Sequence, residues 1–578
     1  MALPTGIDDF RKLRTRNKYY VDKTLFIKDF IDYDDEVALI TRPRRFGKTL
    51  NMTMLREFFD ITKDSKAIFE GLAIMKTEYA SLINTKPVIY LTFKNCSGAS
   101  IDDLKDSMAK QMIKEYDRFA MAFNKGEVNK DLLAFYAFYQ THGTLKRVFD
   151  PRPDNREKIS LVDTGLFKSS LSILTQAVST FFNQHPILLI DEYDQPLINA
   201  HDMGFREEFS KTIYADFLGE ALKGNEFLGQ NLLTGIQRIA KESIFSKLNN
   251  YTVYTVLDEI YATYFGLTEV ETSMALESVK LSLTEDIKRY YDGYLMGGEV
   301  GVYNPWSIMN YMRKKKLTPF WLNTSTNSLI KTSILSADSE FKESFEELIL
   351  DGEVEVFMDL EASFVELAQT ETLWGLLVNS GYLTVSEDLG GEEYILRIPN
   401  QEVKKEFRKI VAIYAGLNSN RLTQMFNALI NCNMEKFLKM YQKLVYSYIS
   451  SHDISHRQKN EDNAKHFENS YHMLFLGMAI SVSGMYEITS NLEAGHGRGD
   501  ITMKSLQPHL RPHIVIECKE GDSVKKLKQE ALDQIFEKKY YVKLNGKVVC
   551  VGLAHSMKDC ELVFKEITVD EHGEIVET

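Results

Sequence analysis

Val37-Ala-Leu-Ile-Thr-Arg-Pro-Arg-Arg-Phe-Gly-Lys-Thr49 opens with an unbroken apolar run and closes on Gly47-Lys48-Thr49. A run without polar alternation reads as a strand buried on both faces, as in a parallel sheet. Leu50-Asn-Met-Thr-Met-Leu-Arg-Glu-Phe-Phe59 follows and reads as a helix. Strand, loop, Gly-Lys-Thr and helix in that order give the layout of a phosphate-binding P-loop. Backbone N–H groups of Arg45, Phe46 and Gly47, with the helix N-terminus, would cradle a β-phosphate. Lys48 would reach the β- and γ-phosphates, and Thr49 would give its hydroxyl to Mg²⁺. One position departs from GxxxxGK[ST]: Arg42 stands where the first glycine is usual.

Working outward, Pro186-Ile-Leu-Leu-Ile-Asp-Glu-Tyr-Asp-Gln-Pro196 is a second apolar run, ending in two acids. The carboxyl end of such a strand is where open α/β sheets place their ligands. Asp191 would hold Mg²⁺ through water and Glu192 would polarise the attacking water of an ATP hydrolysis. A further strand, Val88-Ile-Tyr-Leu-Thr-Phe93, lies between the two motifs in sequence. That insertion, together with Glu192, points to the ASCE branch of P-loop ATPases. Asn231-Leu-Leu-Thr-Gly235 reads as another strand, with the polar Thr234 at its end in a sensor position. Arg238, just beyond, would read the γ-phosphate in cis or serve a neighbouring subunit as a finger; the plainer reading is a surface arginine on a helix.

The C-terminal part carries a different constellation. Gly495-His-Gly-Arg-Gly499 precedes Asp500 at the start of a strand, and Ile514-Val-Ile-Glu-Cys-Lys519 is a short buried strand. Alternation puts Glu517 and Lys519 on one face and Ile514, Ile516 and Cys518 on the other. Burying that carboxylate and ammonium is costly unless they are paired or bind metal. Asp500 and Glu517 would hold Mg²⁺ or Mn²⁺ with hard oxygen ligands. Lys519 would orient or deprotonate water and offset phosphate charge. The bland reading is a same-face ion pair on a half-buried strand.

Several of these stretches together resemble a known pair of domains. Gly497-Arg-Gly-Asp500, Ile516-Glu-Cys-Lys519, Ala531-Leu-Asp-Gln-Ile535 and Glu468-Asn-Ser-Tyr-His-Met-Leu-Phe475 resemble the PD-(D/E)XK nuclease superfamily. The resemblance implies that Glu468, on the first helix, orients the metal site and that Gln534 supports the lysine. Tyr20-Val-Asp-Lys-Thr24, Arg42-Pro-Arg-Arg-Phe-Gly-Lys-Thr49, Ile190-Asp-Glu-Tyr-Asp194 and Leu233-Thr-Gly235 are similar to a large prokaryotic family of AAA-ATPase-like proteins that carry such a nuclease at the C-terminus. In that family arginine at the place of Arg42 is the normal form.

The bulk numbers agree with a soluble, multidomain chain. At 578 residues it is too long for one core, and 44% hydrophobic with 26% charged residues is ordinary globular composition. A net charge of −13 means that any nucleic-acid contact must be a local patch, for which the lysines between Lys519 and Lys543 are the candidate and a solvated helix face the plain reading. Five scattered cysteines without CxxC spacing argue for a reducing compartment and against zinc. No signal peptide or membrane-length apolar run is visible, so a cytoplasmic protein with no membrane partner is expected.

In the middle, Thr268-Glu-Val-Glu271 reads as a capping box. Val302-Tyr-Asn-Pro-Trp-Ser307 is turn-like, its aromatics core or a lid that feels the nucleotide. Leu373 to Val403 reads as helix then acidic hairpin, a winged-helix-like unit. The expected fold class is therefore α/β. A parallel-sheet P-loop ATPase of ASCE/AAA-like type spans 1–265, a helical and winged-helix-like region 266–450, and an α/β PD-(D/E)XK nuclease fold 451–578. The expected function is ATP binding and hydrolysis joined to Mg²⁺-dependent cleavage of nucleic acid, DNA before RNA, with a homo-oligomer possible. The rival is a signalling or scaffold ATPase whose nuclease fold serves as a binding module.

Overall fold

The computed structural model describes residues 3–123, 164–237, 250–298, 300–321, 352–360, 370–405, 419–451, 485–494, 497–521, 523–556 and 559–576, with 407 and scattered positions between 330 and 348. Arg238 and Glu468 fall outside the described residues, as does the side chain of Asp500. Two compact units form, Met1–Ser344 with Glu353–Val403, and Phe345–Gly352 with Lys404–Thr578.

The first unit is built on five strands: β1 (Val37–Thr41), β2 (Val88–Thr92), β3 (Ile187–Asp191), β4 (Asn231–Gly235) and β5 (Tyr251–Tyr254). They pair in the order β2-β3-β4-β1-β5, every pair parallel. All residues of β1, β3 and β4 are buried, which is why their sequences lack alternation. The acid-bearing β3 is not the neighbour of β1; β4 stands between them, so Ile40, Thr234 and Asp191 share one row at the carboxyl edge, with Thr41 one step beyond beside Gly235. Helices Lys48–Phe59, Ile101–Arg118 and Thr164–Phe182 supply the crossovers that parallel strands require.

Among the described residues, two smaller sheets also belong to this unit. Three short strands, β6 (Leu267–Thr268), β7 (Tyr294–Met296) and β8 (Val300–Tyr303), pair antiparallel. The capping box at Thr268 is present, both halves made, and starts the helix Glu269–Glu277. The Asn304-Pro305 pair, read as a turn, is a helix start: the Asn304 side chain accepts the N–H groups of Trp306 and Ser307 and Pro305 is preset for the first turn of Pro305–Lys314. Further on, β9 (Glu353–Phe357), β10 (Thr384–Gly390) and β11 (Glu393–Arg397) form an antiparallel sheet behind the helix Thr370–Asn379. The helix and hairpin match the reading; β9, which adds the third strand, was not foreseen.

The second unit holds six strands in sequential order: β12 (Tyr486–Ala494), β13 (Gly497–Ser505), β14 (His513–Glu520), β15 (Gly546–His555), β16 (Cys560–Val569) and β17 (Ile575–Val576). All pairs are antiparallel except β14 with β15. That parallel pair is bridged by the helix Val524–Glu537. Ile514, Ile516 and Cys518 of β14 face a core shared with helices Ser419–Ile430 and Met434–Ser451, while Val515 joins the core under Val524–Glu537. A side chain at Gly552 of β15 would sit 2.2 Å from the Lys528 carbonyl, so glycine lets that helix lie close on the sheet. All five cysteines are free.

Candidate nucleotide and metal sites

The P-loop begins where β1 ends. Gly47 caps the Lys48–Phe59 helix at φ +98°, a left-handed conformation that a Cβ would strain. Arg45 is also left-handed, at φ +68°, and so is Glu192 beyond β3, at φ +54°. Non-glycine residues held there cost of order 1–3 kcal/mol and gather at functional sites.

The polar row at the sheet edge closes on Asp191. Its Oδ2 accepts the Thr49 hydroxyl at 2.9 Å and its Oδ1 accepts the Thr234 hydroxyl at 2.9 Å. Burial, then the neighbouring Glu192, pushes the Asp191 carboxyl up to about 6. Lys48 is 6% exposed, and its Nζ donates to the carbonyls of Arg42 at 2.7 Å and Pro43 at 3.0 Å. Burial lowers its pKa, against the pull of Glu192, Asp194 and Asp191. Thr49, Asp191, Thr234 and Lys48 thus meet from three separated stretches of sequence. Asp194 was quoted in the motif but given no role; it is buried and accepts the N–H groups of Ile236 at 2.8 Å and Gln237 at 3.1 Å, fixing the chain after β4.

Arg42 does not face phosphate. Its guanidinium is fully buried and donates to the carbonyls of Thr41 (2.8 Å), Tyr254 (2.9 Å), Thr255 (2.5 Å) and Ile260 (3.5 Å). It lies 5.4 Å from the Phe265 ring. Burial lowers its pKa to about 10, with Asp258 opposing. The arginine therefore staples the start of the loop to the chain following β5. Arg42→Gly, which restores the common motif, is expected to destabilise this unit by about 3 kcal/mol or more by leaving buried carbonyls unpaired. Urea unfolding measures it.

A cavity of about 530 Å³ opens beside these groups. Arg44 to Asn51, Glu192 and Gln237 line one part, and Trp306, Trp321 and Tyr382 line another. The Tyr20-to-Thr24 segment also reaches it, through Tyr20 and Lys23. Lys23 Nζ donates to Glu271 at 2.6 Å, while Asp22 and Thr24 accept the N–H groups of Ala73 and Ile74. That segment is a brace for the cavity wall.

In the second unit Glu517 is 3% exposed and Lys519 half-buried on the same face of β14. The Gln534 amide donates to Glu517 Oε1 and lies 3.2 Å from the Tyr540 hydroxyl. The resemblance implied that Gln534 supports the lysine; in the structure its amide meets the glutamate. The β13–β14 register runs Met503↔Ile514, Thr502↔Val515, Ile501↔Ile516, and one further step sets position 500 beside position 517. Strand β13 starts at Gly497, earlier than the glycine-rich turn suggested. Part of the lysine run is neutralised by acids: Lys526 meets Glu530, Lys528 meets Glu561 and Lys539 meets Glu574.

Comparison with known proteins falls on the same two places. Residues 4–245 match the family model described as predicted AAA-ATPase, and residues 466–565 match that of the PD-(D/E)XK nuclease superfamily. The chain pairs an AAA-ATPase-like domain with a PD-(D/E)XK nuclease superfamily domain. It is also 24% identical over 509 residues to an uncharacterized protein in the vnfD 5' region of Azotobacter chroococcum mcd 1, covering 87% of this chain and 86% of that one. The AAA-ATPase-like match ends before Trp306 and Trp321, so the aromatic part of the cavity is built by chain outside it. Among the described residues, no helix is long and apolar enough to cross a membrane.

Proposed function

We propose that the first unit binds and hydrolyses MgATP, that the second cleaves nucleic acid with a divalent metal, and that nucleotide state governs cleavage. The observation that carries the first part is the Thr49–Asp191–Thr234 network beside Lys48. Hydroxyl and carboxylate oxygens are the donors a hard cation takes, and the paired Thr49 and Asp191 groups fit Mg²⁺. Mg²⁺ bound there would neutralise phosphate charge. Lys48 stabilises charge on the β- and γ-phosphates, and Glu192, half-buried at the cavity, accepts hydrogen bonds from the attacking water. Thr234 holds Asp191 in place from β4.

At the second site Glu517 and Asp500 are the oxygen donors that suit Mg²⁺ or Mn²⁺, which would supply an activated water and offset charge on the scissile phosphate. Glu517 is a buried carboxylate oriented by a neutral amide, a fit for a metal ligand. Lys519 shares its face and faces the anionic phosphate. Glu468 orients the metal ligands, and Arg238 contacts the γ-phosphate in cis or in trans. DNA is the favoured substrate, and a homo-oligomer is part of the proposal only if Arg238 acts in trans.

Glu192→Gln tests the ATPase assignment. It is expected to bind ATP as the natural chain does and to turn it over at least about a hundredfold more slowly. Equilibrium binding of a fluorescent ATP analogue and phosphate release read the two quantities. Loss of binding with loss of turnover would make Glu192 a structural residue.

A further inference from the structure

The cavity wall outside the matched AAA-ATPase-like region is attached to the P-loop by specific contacts. The Arg45 guanidinium lies over the Trp306 ring at 4.6 Å. The Trp321 indole N–H donates to the Arg44 carbonyl at 3.0 Å. Trp306 in turn donates its indole N–H to the Phe320 carbonyl at 3.1 Å, so the two tryptophans are tied together through adjacent residues.

Behind them stands Glu402, 1% exposed. Its Oε2 accepts the hydroxyl of Ser307, next to Trp306, at 2.7 Å, and its Oε1 accepts the N–H of Trp321 at 2.8 Å. Burying a carboxylate is costly, and here its two oxygens fix both tryptophan-bearing segments. Arg45 itself is exposed and strained at φ +68°. A stack on an indole face is a fitting restraint for a long cationic side chain whose backbone is held in that region.

We propose that Trp306 is a positioning residue for the nucleotide. It holds Arg45 at the rim of the cavity, with Glu402 fixing Trp306 and Trp321 from behind. The proposal rests on ATP occupying the P-loop. An unrestrained arginine would lose rotamer freedom each time phosphate bound; one already laid on Trp306 loses less. The effect falls on binding more than on chemistry. Trp306→Leu is expected to raise the KM for ATP roughly fivefold with a smaller change in kcat, and Trp306→Phe, which keeps a ring under the guanidinium, to recover most of the loss.

The test is a double-mutant cycle on the full chain, with ATP binding and turnover measured for the natural protein, Trp306→Leu, Arg45→Ala and the double variant. If Trp306 acts through Arg45, Trp306→Leu adds nothing in the Arg45→Ala background. Additive effects would overturn the proposal, since a wall residue with a merely structural role is indifferent to Arg45. Arg45 is exposed and its replacement leaves the core intact, so a second readout stands if Trp306→Leu does not fold. ATP is expected to change tryptophan emission in the natural protein and to do so far less in Arg45→Ala. An equal change in both overturns the proposal. Absence of ATP binding to the natural protein would instead remove the ATPase reading beneath it.

Discussion

Lys48→Ala is expected to lower ATP turnover by about a hundredfold or more, the usual scale for removing one preorganised charge stabiliser. The Lys48 ammonium is buried on its own loop, held by the Arg42 and Pro43 carbonyls. Three carboxylates, Glu192, Asp194 and Asp191, act on it electrostatically. Alanine removes the cation that phosphate would meet and leaves those acids without its opposing charge. ATP binding is expected to weaken together with turnover, unlike the Glu192→Gln variant. Phosphate release, with thermal melting as a folding control, decides the matter. Unchanged turnover in a folded variant would remove the P-loop from the chemistry.

Glu517→Gln is expected to reduce metal-dependent cleavage by about a hundredfold or more while leaving the melting temperature equal or higher. The two halves of that expectation have different causes. Losing an anionic oxygen ligand removes the charge that holds a divalent metal. Losing a buried charge without changing volume is often neutral or stabilising. A carboxylate kept for packing would behave the other way, with stability falling in step with activity. The measurement is cleavage of labelled nucleic acid beside a thermal unfolding curve for the same preparation.

The sequence carried some of this plainly. Val37–Ile40 and Ile187–Ile190 lack polar residues because both faces of their strands are covered, and that is a local property of the chain. Gly47-Lys48-Thr49 and Asp191-Glu192 announce themselves because phosphate chemistry demands those groups at strand ends. The face shared by Glu517 and Lys519 follows from a two-residue repeat, and the opposite burial of Ile514, Ile516 and Cys518 agrees with it.

Other features depend on partners distant in sequence, and no local pattern reveals them. Arg42 reads as a broken motif until Tyr254, Thr255 and Ile260 are seen around it, more than 200 residues on. Trp306 reads as a core or a lid aromatic, and nothing near it or Trp321 in sequence points to Arg44 or Arg45. Glu402 follows an acidic hairpin and carries no local signal of its place, buried between Ser307 and Trp321. Gln534 was placed on the right helix, yet its contact with Glu517 depends on how closely that helix lies on the sheet, which Gly552 permits. Strand β9 escaped notice because its alternating pattern, exposed then buried, is short and flanked by acids.

The central claim is that one chain joins an ATP site to a metal-dependent nuclease under its control. The most direct measurement is cleavage of labelled double-stranded DNA, single-stranded DNA and RNA by purified full-length protein with Mg²⁺ or Mn²⁺, with and without ATP, beside Asp500→Ala. The expected result is metal-dependent cutting that changes with ATP and is lost in Asp500→Ala. Cutting that survives Asp500→Ala, or that is indifferent to ATP, or no cutting of any substrate, would contradict it.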